Sequence, residues 1–95
     1  MLFALVPLDR PIASPGRADV RPEHLKFLDS LGDSLKLAGP FLNDKGEGIG
    51  SIVLIESETL ETARAAFDRD PYVKAGLFDM VMIKPWKTVV NHMGA

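Results

Sequence analysis

The chain has 95 residues, of which 46% are hydrophobic and 25% are charged, and it contains no cysteine. This length suits one domain rather than two, and the composition is that of a globular protein rather than a disordered one. The net charge is −2 and the cations are scattered, which argues against a nucleic-acid partner. The lack of cysteine excludes disulfides, thiolate catalysis and cysteine-based zinc sites, and it fits the cytoplasm.

The first apolar stretch, residues 2–6, predicts a buried strand that Pro7 ends. It has no basic leader and soon meets charged residues, so a strand is favoured over a signal peptide. No apolar run approaches the roughly 20 residues of a membrane-spanning helix, and we expect no membrane partner. Residues 7–19 hold three prolines and predict a long loop, a kind of segment that is often functional.

A first helix is predicted to begin around Pro22, because the first turn of a helix does not need the N–H that proline lacks. A stripe at helical spacing follows in His24, Leu28, Leu31 and Leu35.

Two strands are predicted next. Residues 37–42 form a short strand, and Pro40 indicates an edge position because proline cannot donate to a sheet ladder. Residues 43–50 carry three glycines and predict a hairpin loop. Residues 51–56 then form the clearest strand of the chain, apolar on both faces in its middle.

Thr59 predicts the N-cap of a second helix. This helix must end near Asp70, because Pro71 disfavours helical geometry in the residue before it. A turn or short helix over residues 71–76 leads to a last strand over residues 78–83. Residues 87–95 are expected to form a loosely held tail.

The order β-α-β-β-α-β predicts a ferredoxin-like α+β fold. Its sheet is antiparallel with strand order 4-1-3-2, and both helices lie on one face. The strands are apolar on both sides, whereas a sheet with one wet face should alternate. Each large apolar side chain left in water forgoes roughly 1.5–3 kcal/mol. We therefore expect the second face to pack on another copy of the chain in a two-fold homodimer.

This topology brings the start of the first helix and the end of the second helix to one edge of the sheet. His24 and Asp70 are therefore expected side by side. The imidazole would act as a general acid and base, and the carboxylate would accept its Nδ1–H and orient it. The alternatives are a partly buried His24 bonded only to backbone, and an Asp70 that serves only as an N-cap.

Two further residues are candidates for substrate binding. Arg21 either binds an anionic substrate or is a solvated charge in the first helical turn. Ser51 either donates a hydrogen bond into the site or simply begins a strand. A nucleophilic serine triad is not favoured, because the chain has no Gly-x-Ser-x-Gly turn of the kind that presents such a serine. The only other histidine, His92, lies in the tail without metal-ligand spacing, so no metal site is predicted.

Several short motifs run in order through the chain: Arg21-Pro22-Glu23-His24-Leu25, Gly39-Pro40, Gly50-Ser51, Asp70-Pro71-Tyr72, Ala75-Gly76-Leu77-Phe78 and Pro85-Trp86. In this set the chain resembles the YciI-like (YCII-related) proteins over nearly its whole length. The resemblance implies a dimeric α/β-barrel and an active site built on His24 and Asp70. Some relatives are similar to dehydrochlorinases of chlorinated hydroxyhydroquinones, and the fold is shared with muconolactone isomerases. The Asp-Gly-Pro-Phe motif of the branch linked to sigma-factor regulation is not matched, because Ala38 precedes Gly39.

We therefore expect residues 1–95 to form one YciI-like domain, a cofactor-independent enzyme for a small cyclic hydroxylated or lactone-like molecule. The reaction would be an isomerisation or an elimination. His24 would move the proton, Asp70 would orient His24, and Arg21 or Ser51 would position the substrate. The alternatives are a non-catalytic dimeric module that binds a small metabolite, and an interaction domain in which the edge at His24 is occluded.

Overall fold

The computed structural model describes residues 1–11 and 17–93. A 3-10 turn at Gly32–Ser34 joins the first helix to the second strand. In chain order the main elements are β1 (Leu2–Asp9), α1 (Arg17–Ser30), β2 (Leu35–Leu42), β3 (Gly48–Glu56), α2 (Leu60–Phe67), α3 (Pro71–Lys74) and β4 (Phe78–Trp86). This is the predicted α+β order, and the segment predicted as a turn or a short helix after α2 forms the short helix α3.

The four strands form one antiparallel sheet in the order β2-β3-β1-β4. The predicted order 4-1-3-2 is therefore confirmed, with β2 at one edge and β4 at the other. The helices cover one face of the sheet, where alternate side chains of the strands pack against α2. The buried core consists of Phe3, Leu5, Val53, Ile55, Ala63, Phe67 and Ile83.

Pro7 does not end the first strand, contrary to the prediction. The strand continues to Asp9, and Pro7 stays opposite Val81 in the pairing with β4. The register with β3 skips Val6 and Pro7 and resumes where Leu8 faces Gly50. Proline has no N–H to donate, so the sheet accommodates it as a local gap on one side of the strand.

Helix α1 begins earlier than predicted, at Arg17, so that Pro22 lies inside it and His24 in its second turn. The predicted leucine stripe is helical only in part, since Leu31 and Leu35 lie beyond the end of α1 yet still pack on the core. The predicted loop over residues 7–19 is correspondingly shorter. Its residues 12–16 lie outside the described ranges.

Strand β4 extends to Trp86 rather than ending at Ile83, because its pairing with β1 continues without interruption from Met80 to Trp86. Pro85 is tolerated there since β4 is an edge strand. From Lys87 to Met93 the chain forms neither helix nor strand, and residues 94 and 95 lie outside the described ranges.

The sheet face away from the helices is apolar and uncovered within the chain. Its side chains alternate with the core residues along each strand. Six large apolar residues of this open face are between 38% and 61% exposed: Leu8, Leu37, Phe41, Met80, Met82 and Trp86. The homodimer expected from this pattern stays a prediction. Within the described ranges, no helix is long and apolar enough to cross a membrane.

Candidate active site

His24 and Asp70 form a buried hydrogen-bonded pair. The distance between His24 Nδ1 and Asp70 Oδ1 is 2.7 Å, and the two residues are 8% and 2% exposed. An ionised carboxylate can only accept, so Nδ1 carries the hydrogen and donates it. The second ring nitrogen, Nε2, is then the one with a free lone pair. The expected proximity is present, whereas the catalytic roles remain predictions.

Asp70 also caps helix α3, because its Oδ1 accepts the backbone N–H of Tyr72 at 3.0 Å. Its backbone is extended, as an N-cap requires, and Pro71 follows at the start of the helix. The two interpretations that the sequence offered for Asp70 therefore coexist. Both hydrogen bonds converge on one carboxylate oxygen, so the start of α3 fixes the group that holds His24.

Tyr72 packs directly on the imidazole. The rings of Tyr72 and His24 are nearly parallel, with centroids 3.8 Å apart, and Tyr72 is 2% exposed. Burial raises the pKa of the Tyr72 phenol above its usual value. The positive charges of Arg17 and Arg21 act in the other direction but are the smaller effect. The phenol is therefore neutral at physiological pH. The sequence analysis missed Tyr72, although it lies two residues after Asp70 in the motif that carried the resemblance.

Arg17 is a second residue that the sequence analysis missed. Its Nε and Nη2 donate to the carboxylate of Asp9 at 2.5 and 3.1 Å, and Nη2 also donates to Ser51 Oγ at 2.8 Å. Its Cζ atom lies 5.1 Å from the centroid of the Tyr72 ring. The partners are 8 and 34 residues away in sequence, so no local pattern marked Arg17 or Asp9 as part of a site.

A cavity of about 440 Å³ opens beside these groups, between α1, β2, β3 and α3. This volume falls within the range of roughly 300–1,000 Å³ that is typical of small-molecule sites. The polar and charged residues that line it are Arg17, Arg21, His24, Ser51 and Tyr72. Three of the four predicted site residues thus line one cavity, and the fourth, Asp70, holds His24 without lining it.

Arg21 and Ser51 have different environments at this cavity. Arg21 is exposed, and among residues 1–11 and 17–93 it has no ion-pair or hydrogen-bond partner. Ser51 is 6% exposed, and its hydroxyl oxygen accepts from Arg17. Ser51 therefore begins no strand, as β3 starts three residues earlier, but holds a charged neighbour.

The described part of the chain offers no group of three or more His, Asp or Glu side chains that could hold a metal ion. His92 lies exposed after β4. The side chains at the cavity provide an imidazole paired with a carboxylate, a neutral phenol and two guanidinium groups.

Comparison with known proteins gives consistent matches over most of the chain. A model of the YCII-related domain matches residues 1–87. Protein YciI of Escherichia coli O6:H1 is 41% identical over 97 aligned positions, which cover 94% of this chain and 99% of that protein. An uncharacterized protein of Haemophilus influenzae is 33% identical over the same shares of both chains.

A solved structure also matches nearly the whole fold. It is that of 5-chloro-2-hydroxyhydroquinone dehydrochlorinase from Burkholderia phenoliruptrix, in complex with 2,5-dihydroxybenzoquinone. The TM-score is 0.82 at 31% sequence identity, and the match covers 92% of this chain and 94% of that chain. The fold described above is therefore shared with an enzyme that acts on a small molecule.

Proposed function

The chain belongs to the YCII-related domain family, and from this premise we propose that it is an enzyme in which His24 transfers a proton of a small organic substrate. The observation that carries the proposal is the 2.7 Å bond between His24 and Asp70 beside a cavity of substrate size. The match to a dehydrochlorinase supports a small cyclic, hydroxylated substrate.

The chemistry follows from the tautomer of His24. With Nδ1–H bonded to Asp70, Nε2 takes a proton from an acidic C–H or O–H of the substrate. In an isomerisation, the imidazolium returns this proton to another atom of the same molecule. In an elimination, the electron pair that the removed proton leaves behind forms a double bond, and a leaving group departs with its own bonding pair. The imidazolium then releases its proton to solvent, which restores the base.

Asp70 and Tyr72 act on His24 rather than on the substrate. The Asp70 carboxylate stabilises the imidazolium that forms when Nε2 is protonated. The stacked phenol ring and the hydrogen bond at Nδ1 together hold the imidazole in one orientation. A base that is already oriented avoids part of the entropic cost of reaching the reactive geometry.

Arg21 and Ser51 are proposed to position the substrate by different routes. Arg21 is exposed at the cavity and is free to contact a bound molecule directly. Ser51 acts mainly through Arg17, since its hydroxyl oxygen already accepts from that guanidinium. The proposed reaction uses side chains of this chain alone and invokes no cofactor.

The test is a substrate screen with variants of the two histidines. Chlorinated hydroxyhydroquinones, hydroxyquinones, cyclic enols and lactones are incubated with the protein, and products and released chloride are measured. We expect His24→Gln and His24→Ala to lower the rate by about 10²-fold or more, the usual contribution of a general acid or base. His92→Gln, in the exposed tail, serves as the matched control and keeps the full rate.

Two outcomes would contradict the proposal. Full activity in both His24 variants would remove the imidazole from the reaction. Tight binding of a panel compound without any product would instead favour the non-catalytic module that binds a small metabolite.

A further inference from the structure

The basic side chains of the site line the cavity, whereas its carboxylates lie behind them. Arg17, Arg21 and His24 all contribute to its wall. Asp9 and Asp70 bind Arg17 and His24 but do not line it. Among the described residues that form the wall, none carries a carboxylate.

The basic side chains of this wall differ in how they are paired. Arg17 is balanced by Asp9 in a partly buried bidentate pair, and His24 is bonded to Asp70. Arg21 has no carboxylate within ion-pair distance among the residues that the structure describes. With His24 neutral, the charge of Asp70 offsets one positive charge of the site, but Asp70 lies behind the wall, whereas Arg21 lines the wall. The nearest unpaired charge that a bound molecule meets is therefore positive, which attracts anions.

The rest of the wall is apolar, with side chains of Leu25, Leu28, Ala38, Pro40, Leu42 and Val53. A molecule that complements both the apolar wall and the charge of Arg21 has an apolar body and one anionic oxygen. Arg17 adds a second cation whose position is fixed in advance by Asp9 and Ser51, and such preorganised groups lose little entropy on binding.

We propose that the cavity selects small organic acids, meaning carboxylates and ionised enols or phenols, and that Arg21 binds the anionic oxygen. Arg17 is the fixed second cation, and the apolar wall holds the body of the molecule. The inference rests on the proposed function only in taking the cavity beside His24 as the substrate site. It concerns the charge of the ligand and does not require turnover.

The direct test compares acids with their neutral amides by NMR titration of the labelled protein. Three pairs of equal shape are used: benzoate with benzamide, 2,5-dihydroxybenzoate with its amide, and cyclohexanecarboxylate with its amide. A charge-assisted hydrogen bond is worth about 1.5–3 kcal/mol, so the acid should bind at least about tenfold more tightly than the amide. Equal affinities within each pair, or no binding of any acid below about 10 mM, would overturn the proposal.

Variants then show which side chain is responsible for the preference for acids over amides. Arg21→Gln is expected to weaken acid binding about tenfold and leave the amide unchanged, whereas Arg21→Lys retains most of the preference. Lys26→Gln removes the same charge from an exposed position of the same helix that does not line the cavity, and it should change neither affinity. Equal loss in Arg21→Gln and Lys26→Gln would mean a general surface field and would overturn the assignment to Arg21.

These measurements separate the two proposals. An acid preference that persists in a protein without turnover would leave this inference standing and the enzyme proposal refuted. Turnover that depends on His24, with no preference for acids, would refute only this inference.

Discussion

Asp70 Oδ1 serves two hydrogen bonds at once, one from the His24 imidazole and one from the backbone of Tyr72. The same atom therefore contributes to the stability of α3 and to the geometry of the proposed base. A substitution here should affect both properties, and the choice of replacement can separate them.

Asp70→Ala is expected to lower the free energy of unfolding by about 2–4 kcal/mol. The N-cap contributes about 1 kcal/mol, and leaving the His24 Nδ1–H buried without an acceptor adds a penalty of about 1–3 kcal/mol. Asp70→Asn retains an amide oxygen as acceptor and should cost about half as much. Urea unfolding measures both, with Asp68→Ala, at an exposed neighbour, expected within about 0.5 kcal/mol of wild type. Equal losses in the Ala and Asn variants would contradict the dual role.

The ionisation of Tyr72 can be followed directly by its absorbance, because it is the only tyrosine of the chain. It also makes the free energy of unfolding depend on pH. Burial holds the pKa of its phenol above the usual value of 10.0. Below pH 10 both the folded and the unfolded chain keep the proton, so this group adds no pH dependence to stability. Above pH 10 the unfolded chain loses the proton first, and the free energy of unfolding falls as the pH rises.

The absorbance of tyrosinate should therefore develop at higher pH in the folded protein than in the urea-unfolded chain. Lysines titrate in the same range, so the fall in stability is compared with that of Tyr72→Phe, in which the part due to the phenol is absent. Coincident absorbance midpoints in the folded and unfolded protein would show that the phenol is not desolvated.

At the scale of elements, the order and topology were predictable because apolar spacing and the turn residues agree along the chain. Three of the errors in element boundaries lie at prolines. Pro7 and Pro85 are accommodated inside strands, one by a gap in pairing and the other by an edge position. Pro22 lies inside α1, whose first residue, Arg17, is held by Asp9 and Ser51. Contacts of long sequence separation thus override local rules that hold for proline in isolation.

The difference between local sequence rules and contacts of long sequence separation also explains which site residues could be predicted. His24 and Asp70 follow from chain direction, since the topology alone brings their elements to one edge. Arg17 and Asp9 do not, because their pairing depends on β1 running past Pro7 and on α1 starting early. Tyr72 is a site residue because a short helix turns its ring onto His24, and no periodic pattern indicates that contact.

Gly50 tests the register between β1 and β3. A Cβ atom there would lie 2.9 Å from both Leu8 Cδ2 and the carbonyl oxygen of Pro7, so the strands would have to move apart. Gly50→Ala is expected to lower the free energy of unfolding by about 1–3 kcal/mol. Gly39→Ala is the matched control in the neighbouring strand β2, where a Cβ meets nothing within 4 Å, and it should be nearly neutral. Similar unfolding midpoints for the two variants in urea would contradict this register.

At the scale of the whole molecule, the open face of the sheet is the main feature that a single chain leaves unexplained. Six large apolar side chains lie exposed on the side opposite the helices. Complete burial of an exposed side chain of this size is worth about 1.5–3 kcal/mol, and about half of that remains to be gained for each of these half-exposed side chains. This gain favours pairing of two copies through the open face. We propose this homodimer as the form in which the site operates.

Met82→Glu should therefore convert the protein to a monomer at micromolar concentration, because it puts a charge in the middle of the open face. Met82 is 46% exposed, and Leu60, at the start of α2 on the other side of the sheet, is 44% exposed. Leu60→Glu is thus a control of nearly equal exposure and the same charge change. The oligomeric state of each protein is measured by sedimentation velocity. A wild-type protein that is already monomeric would refute the dimer.

The most direct measurement of proton transfer at His24 is the exchange of acidic C–H hydrogens in deuterated water, followed by NMR on cyclic enols, lactones and hydroxyquinones. Exchange requires only that Nε2 take and return a proton, so it is visible without a complete reaction. We predict exchange above background with wild type and with His92→Gln, and background rates with His24→Gln. Exchange at the wild-type rate in His24→Gln would contradict the assignment of His24 as the base.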